Sequence, residues 1–287
     1  MTRHAWPLVC ILCLIVISQF SARADASSRQ DVEFMSEGVS LRGTLFFPDA
    51  KASTTALVLL HGSAKKDSLR MNALARALAS DGFAVLTYDK RGVGQSAGVF
   101  QRGNHEAELT LLARDAVAAV DVVAKSPKLR GASIGLLGIS QGGWVGPIAA
   151  TRSEQVAFVL LWSGPVCTLS EEVHFSTFAK NIPNFSMHEY SSEVREHMRA
   201  VPKLASDFDP IPVLQNASVP MLWVFGARDN SIPVELSIER LDRLIKGGKS
   251  NFEYRLLPDG EHELNYLDQA TLDWMRKQAA RRSGALD

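Results

Sequence analysis

Short apolar runs alternate with segments of helical periodicity along most of this chain. Residues 56–60 are apolar on both faces, as expected for a strand covered on both sides. The same order of strand and helix then recurs, with strands predicted at residues 83–88, 133–138, 156–162, 219–225 and 252–257 and helices at residues 69–80, 106–125, 141–151, 234–245 and 264–282. This repeated βα alternation predicts a doubly wound, mainly parallel sheet with helices on both faces.

Two segments depart from that alternation. Residues 32–47 alternate between apolar and polar positions, which predicts an antiparallel hairpin at the edge of the sheet. Residues 164–209 are rich in Glu, His, Phe, Met and Ser and are interrupted by Pro183 and Pro202. A plain connection of this length is uncommon in a compact domain, so we predict a small helical insertion over one end of the sheet. We call residues 164–209 the lid.

The first residues have the pattern of a secretory signal peptide. Arg3 and His4 precede an uninterrupted apolar run at residues 8–17, and small residues follow at Ala24 and Ala26. An apolar run of about ten residues is too short to cross about 30 Å of hydrocarbon. We therefore predict a signal peptide at residues 1–24, with cleavage after Ala24 or Ala26, and no stable membrane insertion afterwards. The expected mature chain is a single domain, residues 25–287, that is exported to the periplasm or secreted.

Composition and charge exclude several classes of function. The 287 residues include 31 Lys and Arg against 31 Asp and Glu, so there is no positive surplus for binding nucleic acid. The glycine-rich residues 89–94 lack the Gly-Lys-Ser/Thr ending and the G-x-G-x-x-G spacing of nucleotide loops. No group of His, Cys and Asp has metal-ligand spacing. We therefore expect no cofactor and no metal, and the oligomeric state stays open.

The pentapeptide Gly138-Ile139-Ser140-Gln141-Gly142 lies where a predicted strand turns into a predicted helix. This is the G-x-S-x-G pattern in the strand-turn-helix context that it requires, because a nucleophile on a tight turn projects clear of both elements. Residues without a Cβ fit the two flanking positions. The alternative is a glycine-rich turn with a serine N-cap. We predict that Ser140 is a nucleophile.

A serine nucleophile needs a base, and that base needs an acid to orient it. Asp229 follows the strand at 219–225 and His262 follows the strand at 252–257, so both are expected at the edge of the sheet that carries Ser140. Other candidates for the acid are Asp259, Asp207 and Asp209. The remaining histidines of the expected mature chain fit the base less well, because they precede the serine, precede a helix or fall in the lid: His61, His105, His174, His188 and His197.

Backbone N–H groups are expected to stabilise the oxyanion of the reaction. One should be that of Gln141, the residue after the nucleophile. The other should come from the loop after the strand at 56–60, and we assign it to Ser63, because Gly62 lets that backbone turn inward.

With these residues in place, the chain resembles the α/β-hydrolase superfamily. The resemblance runs from about Glu33 to the C-terminal helix. Residues 88–96, 138–144 and 225–229 are similar to the serine-aminopeptidase-like and dienelactone-hydrolase-like branch, many of whose members are carboxylesterases that act on small acyl esters. The resemblance implies a serine nucleophile at Ser140, an acid at Asp229 and a base at His262. Dienelactone hydrolases proper use a cysteine nucleophile, so the serine argues against that activity.

The predicted function is that of an exported serine carboxylesterase with a small-molecule ester substrate of short to medium acyl length. Phe175 and Phe178 of the lid are candidate substrate-binding residues, although they equally suit a role in holding the lid to the domain. One alternative is a peptidase or amidase of the serine aminopeptidase type, which shares every catalytic residue. A second alternative is a ligand-binding protein without turnover, because fold does not dictate function.

Overall fold

The structure, a computed structural model, describes residues 28–48, 53–65, 69–101, 106–205, 207–263 and 267–282. The predicted signal peptide, its cleavage positions and His105 lie outside the described residues. Over these residues the strands are β1 Arg29–Ser36, β2 Val39–Phe46, β3 Thr55–Leu60, β4 Ala84–Tyr88, β5 Ser133–Ile139, β6 Val156–Trp162, β7 Met221–Gly226 and β8 Phe252–Leu257. The helices are α1 Leu69–Ser80, α2 Glu106–Lys125, α3 Gly142–Ala150, α4 Leu169–Ala179, α5 Ser191–His197, α6 Ile211–Asn216, α7 Val234–Lys246 and α8 Gln269–Arg282, with single 3₁₀ turns at Pro127–Leu129 and Met198–Ala200.

The strands form one sheet in the order β1-β2-β4-β3-β5-β6-β7-β8. Strands β3 to β8 pair in parallel, and the hairpin of β1 and β2 adds an antiparallel edge beside β4. The predicted α/β fold, with a mainly parallel sheet and an antiparallel edge hairpin, is confirmed. Because the strands are parallel, the carboxyl ends of β3, β5, β6, β7 and β8 meet along one edge of the sheet.

Helices cover both faces of the sheet, which explains why its central strands are apolar throughout. Helices α2, α3 and α7 pack on one face, and α1 and α8 pack on the other. Every residue of β3, β6 and β7 is buried as a result. Helix α8 begins five residues later than the predicted start, and the carboxylate of Asp268 accepts a hydrogen bond from the Thr271 N–H (2.7 Å) at its first turn.

The predicted helical lid contains α4 and α5. Thr168 and Glu171 form a capping box at the start of α4. The carboxylate of Glu171 also accepts two hydrogen bonds of 2.7 Å from Arg240 of α7, and this pair is mostly buried. In its middle, the lid is joined to the loop after β7 by a hydrogen bond from the Met187 N–H to the Ala227 carbonyl (2.8 Å). The lid is therefore anchored beside the carboxyl edge of the sheet.

None of the described helices is both long enough and apolar enough to cross a bilayer. Across the described ranges, no three His, Cys, Asp or Glu side chains are grouped so that they could hold a metal ion.

Candidate active site

Ser140 occupies a strained turn between β5 and α3. Its backbone has φ of 53°, in the left-handed region that a non-glycine residue rarely adopts. A Cβ at Gly138 would collide with the carbonyl oxygen of Gly142, and a Cβ at Gly142 would lie 2.8 Å from the Leu60 carbonyl oxygen. Both glycines of the motif are therefore required by close backbone contacts. The strain is of the kind that the nucleophile turn requires.

The structure brings Ser140, His262 and Asp229 together from three separate strand ends. The Nε2 atom of His262 lies 3.1 Å from the Ser140 Oγ, and its Nδ1 atom lies 2.9 Å from the Asp229 Oδ2. The Asp229 side chain is fully buried, whereas that of His262 is 22% exposed. This chain of two hydrogen bonds is the arrangement in which an imidazole can take the serine proton while the carboxylate stabilises the resulting imidazolium.

Both partners of this pair are held by further hydrogen bonds. The other carboxylate oxygen of Asp229 accepts the backbone N–H groups of Ser231 (2.8 Å) and Ile232 (2.9 Å). The hydroxyl of Ser163, at the end of β6, donates to the carbonyl of His262 (2.8 Å), and Ser163 has φ of 48°. Ser163 therefore fixes the backbone that carries the imidazole.

The other candidate acids and histidines lie in different surroundings. Asp207 accepts the N–H of Ser170 and Asp209 accepts the N–H of Ile211, both at 2.9 Å. Asp259 is exposed on the turn after β8. The described histidines other than His262 bind the Tyr88 carbonyl (His61), stack on one another inside the lid (His174 and His197) or are exposed (His188).

The loop after β3 lies directly against the nucleophile. A Cβ at Gly62 would lie 3.4 Å from the Cβ of Ser140, so glycine allows the close approach. The backbone N–H of Ser63 has no hydrogen-bond acceptor within the described part of the chain. His61 supports this loop by its bond to Tyr88, and burial lowers the pKa of its imidazole to about 4, so it stays neutral. The geometry places Ser63 beside the nucleophile turn, where the second oxyanion donor is expected.

The glycine-rich segment after β4, residues 89–94, is held in place by hydrogen bonds of its own side chains. Asp89 accepts the N–H of Gln95 (2.9 Å), and Arg91 makes a two-pronged pair with Asp115 of α2. Gly92 and Gly94 both have positive φ, at 69° and 55°. The segment is therefore a structural loop beside the site.

Glu172 of α4 brings a negative charge of the lid close to the pair of His262 and Asp229. Burial raises the pKa of Glu172 to about 7, against the lowering effects of Lys180 and His262. Burial alone would lower the pKa of His262, but the hydrogen bond and charge of Asp229, together with the charge of Glu172, raise it. When it is ionised, which at this pKa it is from about pH 7 upwards, Glu172 therefore favours the protonated form of the candidate base.

We expect the variant Glu172→Gln to shift the acid limb of the pH profile to lower pH. The base must be neutral to accept the serine proton, and removing a nearby negative charge lowers the pKa of His262. The measurement is kcat/KM for an ester between about pH 5 and about pH 9. The variant Glu193→Gln, at an exposed lid position, serves as the control. An unchanged acid limb, or one moved to higher pH, would contradict this prediction.

The two phenylalanines proposed for substrate binding differ in their surroundings. Phe175 is buried in a small lid core with Ala179, Phe185 and Val194. It also lines a cavity of about 140 Å³ between the lid and the start of α7. Phe178 is half-buried and stacks on His197, with ring centroids 4.5 Å apart. Both help to hold the lid together, and Phe175 alone of the two lines the cavity.

Sequence reasoning missed three side chains that contribute to this site. They are Ser163, Glu172 and Lys90. The position of Ser163 offered one signal in the sequence, because this residue directly follows the buried strand β6. Asp229 similarly follows the end of β7 by three residues. Lys90 lies in the glycine-rich segment 89–94, for which the sequence only excluded nucleotide binding. Nothing in the lid sequence distinguishes Glu172 from the other acidic residues of the lid.

Comparison with known proteins identifies a family whose model matches this chain and several relatives of similar sequence. Residues 51–209 match the family described as "Serine aminopeptidase, S33". The chain is 24% identical over 243 residues to acylamino-acid-releasing enzyme 2 of Oryza sativa subsp. japonica, and 29% identical over 142 residues to thiohydrolase aneE of Aspergillus aculeatus. These matches cover 80% and 49% of this chain but only 30% and 42% of those proteins. The chain thus spans less than half the length of the relatives that it matches.

Solved structures share the fold over nearly the whole chain. The Pyrococcus furiosus esterase Pf2001 superposes with a TM-score of 0.64 at 19% identity, covering 93% of this chain and 96% of that one. The Pyrococcus horikoshii acylaminoacyl peptidase superposes with a TM-score of 0.61 at 18% identity, covering 88% of this chain and 40% of that one. At such identities the likeness establishes the fold and leaves the substrate open.

Proposed function

Because this chain belongs to the serine aminopeptidase S33 family, within the α/β-hydrolase superfamily, we propose that it is an exported serine hydrolase that cleaves carboxylic esters of short to medium acyl chains. The observation that carries this proposal is the chain of hydrogen bonds from Ser140 through His262 to Asp229. That the chain is a hydrolase follows from the family. The ester substrate, its acyl length and export go beyond the family.

In the proposed mechanism, His262 Nε2 takes the proton of the Ser140 hydroxyl as the Oγ atom attacks the ester carbonyl. Asp229 keeps the Nδ1 proton in place and stabilises the imidazolium. The N–H groups of Ser63 and Gln141 bind the oxyanion of the tetrahedral intermediate. The imidazolium then protonates the departing alcohol, leaving an acyl group on Ser140, and a water molecule activated by His262 releases the acid.

The size of the cavity beside the lid supports short acyl groups. A cavity of about 140 Å³ is close to the volume that accepts a benzene-sized apolar group in other proteins. Its apolar lining includes Phe175, Met187 and Met198. We take this partly open cavity as the site of the acyl group, and its small volume accommodates long lipid chains less well than short ones.

Peptidase or amidase activity is the second candidate. The family description names an aminopeptidase, the Oryza sativa relative is named an acylamino-acid-releasing enzyme, and the Pyrococcus horikoshii structure is that of an acylaminoacyl peptidase. The same catalytic residues serve both reactions, because the amide differs only in its harder leaving group. Turnover of matched ester and anilide substrates with one acyl group separates the two candidates.

For substrates, we expect p-nitrophenyl esters of short to medium chains to be turned over faster than the palmitate ester and faster than the matched anilides.

The variant Phe175→Leu enlarges the cavity, so the preferred acyl chain should lengthen, with relative kcat/KM changing by roughly tenfold per methylene. The variant Phe178→Leu is the matched control, because that ring lies outside the cavity lining. An optimum at the longest chains, equal effects of both variants, or faster anilide cleavage would count against the esterase proposal.

Export remains part of the proposal on the strength of residues 1–26, which lie outside the described structure. The first residue of the protein recovered from the producing cell tests it, since an intact Met1 contradicts cleavage after Ala24 or Ala26.

A further inference from the structure

Lys90 is a buried ammonium group that connects the two loops of the candidate oxyanion site. Lys90 lies two residues after the end of β4, and it is only 4% exposed. The Nζ atom donates to the carbonyl oxygen of Gly62 (2.7 Å) and to the side-chain oxygen of Gln141 (3.3 Å). The ring of Phe100 lies 5.2 Å from the same nitrogen. Lys90 thus contacts Gly62, which directly precedes the proposed donor Ser63. It also contacts Gln141, whose backbone N–H is the other proposed donor.

Burying the positive charge of Lys90 costs free energy, so the contacts that hold the ammonium group in this position are expected to have a role. Within the described residues, no carboxylate oxygen lies within 4 Å of the Lys90 Nζ atom. Burial lowers the pKa of Lys90 to about 8, against the opposing effect of Glu108. The side chain is therefore still mainly protonated at neutral pH, and its hydrogen bonds go to neutral carbonyl groups. A buried ammonium is destabilising unless its hydrogen-bonding capacity is used.

The bond to Gly62 acts on the peptide unit that contains the Ser63 N–H. In a planar trans peptide, the carbonyl oxygen and the N–H point in opposite directions. A hydrogen bond from Lys90 to the Gly62 oxygen therefore sets the direction of the Ser63 N–H on the opposite side of that peptide. Because an ammonium donor polarises the peptide group, it also makes this N–H a stronger donor.

The bond to Gln141 acts on the other loop. The Gln141 N–H is the second proposed oxyanion donor, and its side chain is held by the same ammonium group. One cation therefore sets the relative position of two loops that are 78 residues apart in sequence, as counted from Ser63 to Gln141. It also places a positive charge beside the position where negative charge develops during the reaction.

We propose that Lys90 is a positioning residue that aligns and polarises the N–H groups of Ser63 and Gln141 for oxyanion binding. This inference rests on the serine hydrolase mechanism proposed above. Lys90 itself does not touch the reacting atoms. Its contribution should appear in the transition state and much less in the binding of the ground-state ester.

The test is the variant Lys90→Met, which keeps a long unbranched side chain and removes the donor and the charge. Removing an oxyanion donor outright costs about 10²–10³-fold in kcat, so loss of its alignment should lower kcat by roughly 10–100-fold. The value of KM should change by less than roughly threefold. The inhibition constant of phenylboronic acid, whose tetrahedral adduct places an oxygen in the same site, should rise in parallel with the loss of kcat. All rates are expressed per active site titrated with a fluorophosphonate.

Two further variants complete the experiment. Lys65→Met removes an exposed lysine near the same Phe100 ring and should leave kcat unchanged. Lys90→Arg keeps the charge and the donors, so it should retain more activity per site than Lys90→Met. If Lys90→Met does not fold, Lys90→Gln, which also removes the charge, replaces it. An unchanged kcat per titrated site in the uncharged variant, or a loss confined to KM, overturns the inference. Absence of fluorophosphonate labelling in the wild type instead overturns the proposed function.

Discussion

The variant Ser140→Ala should lose ester turnover by roughly 10³-fold or more and should no longer be labelled by a fluorophosphonate probe. The substitution removes the Oγ atom that lies 3.1 Å from His262 and leaves the imidazole and Asp229 in place. Alanine retains the Cβ atom, so the strained turn between β5 and α3 gains no new contact. The loss should therefore lie in kcat, with the thermal midpoint nearly unchanged.

The matched control is Ser176→Ala, because this serine bonds to the Val173 carbonyl on its own lid helix. It should keep both turnover and labelling. His262→Ala should cost about as much as Ser140→Ala, and the double variant should cost little more, since members of a triad act as a unit. Retained labelling in Ser140→Ala, by contrast, would exclude this serine as the nucleophile.

The variant Asp115→Ala should destabilise the fold by about 3–5 kcal/mol, because it leaves the charge of Arg91 buried without a partner. The Asp115 side chain is fully buried and that of Arg91 is 10% exposed. For a chain of this size, a loss of that order lowers the thermal midpoint by very roughly 6–20 °C. The measurement is thermal unfolding followed by circular dichroism.

A surface ion pair on the same helix provides the control. Arg114 of α2 pairs with Glu37 at 2.9 Å, and both side chains are about half exposed. Glu37→Ala should therefore cost only about 0–1 kcal/mol. The double replacement Arg91→Met with Asp115→Leu should recover most of the lost stability, because both buried charges are then absent. Equal destabilisation by Asp115→Ala and Glu37→Ala would show that burial of the pair is unimportant.

The same buried pair bears on the site, because Arg91 follows Lys90 directly in the chain. Asp89 holds the loop on one side of Lys90, and Arg91 holds it on the other. A folded Asp115 variant is therefore expected to lose some kcat as well as stability. That loss should be smaller than the loss in Lys90→Met, since the ammonium group is still present.

The sequence alone predicted the layers of the fold and the strand ends that carry the chemistry. Repeated βα periodicity implies parallel strands, and parallel strands place their carboxyl ends along one edge. From this it followed that the residues after β5, β7 and β8 should meet, although 122 residues separate Ser140 from His262. The small residues around Ser140 were predictable for a similar reason, because a tight strand-to-helix turn leaves no room for a Cβ at Gly138 or Gly142.

Only the tertiary structure decided which of several similar side chains reach the site. The sequence left Asp229, Asp259, Asp207 and Asp209 as candidate acids, and the folded chain brings Asp229 to His262 while Asp207 and Asp209 cap nearby backbone. The lid phenylalanines were likewise equivalent in sequence, yet Phe175 lines the cavity and Phe178 stacks on His197.

The physical reason is the range over which each kind of information acts. Periodicity and turn chemistry are local, so they determine strands, helices and the turn at Ser140 within a few residues of sequence. The contacts of Lys90 with Gly62 and Gln141 span 28 and 51 residues, and the contact of Ser163 with His262 spans 99. Such pairs have no local signature, because they depend on how distant segments pack at one edge of the sheet.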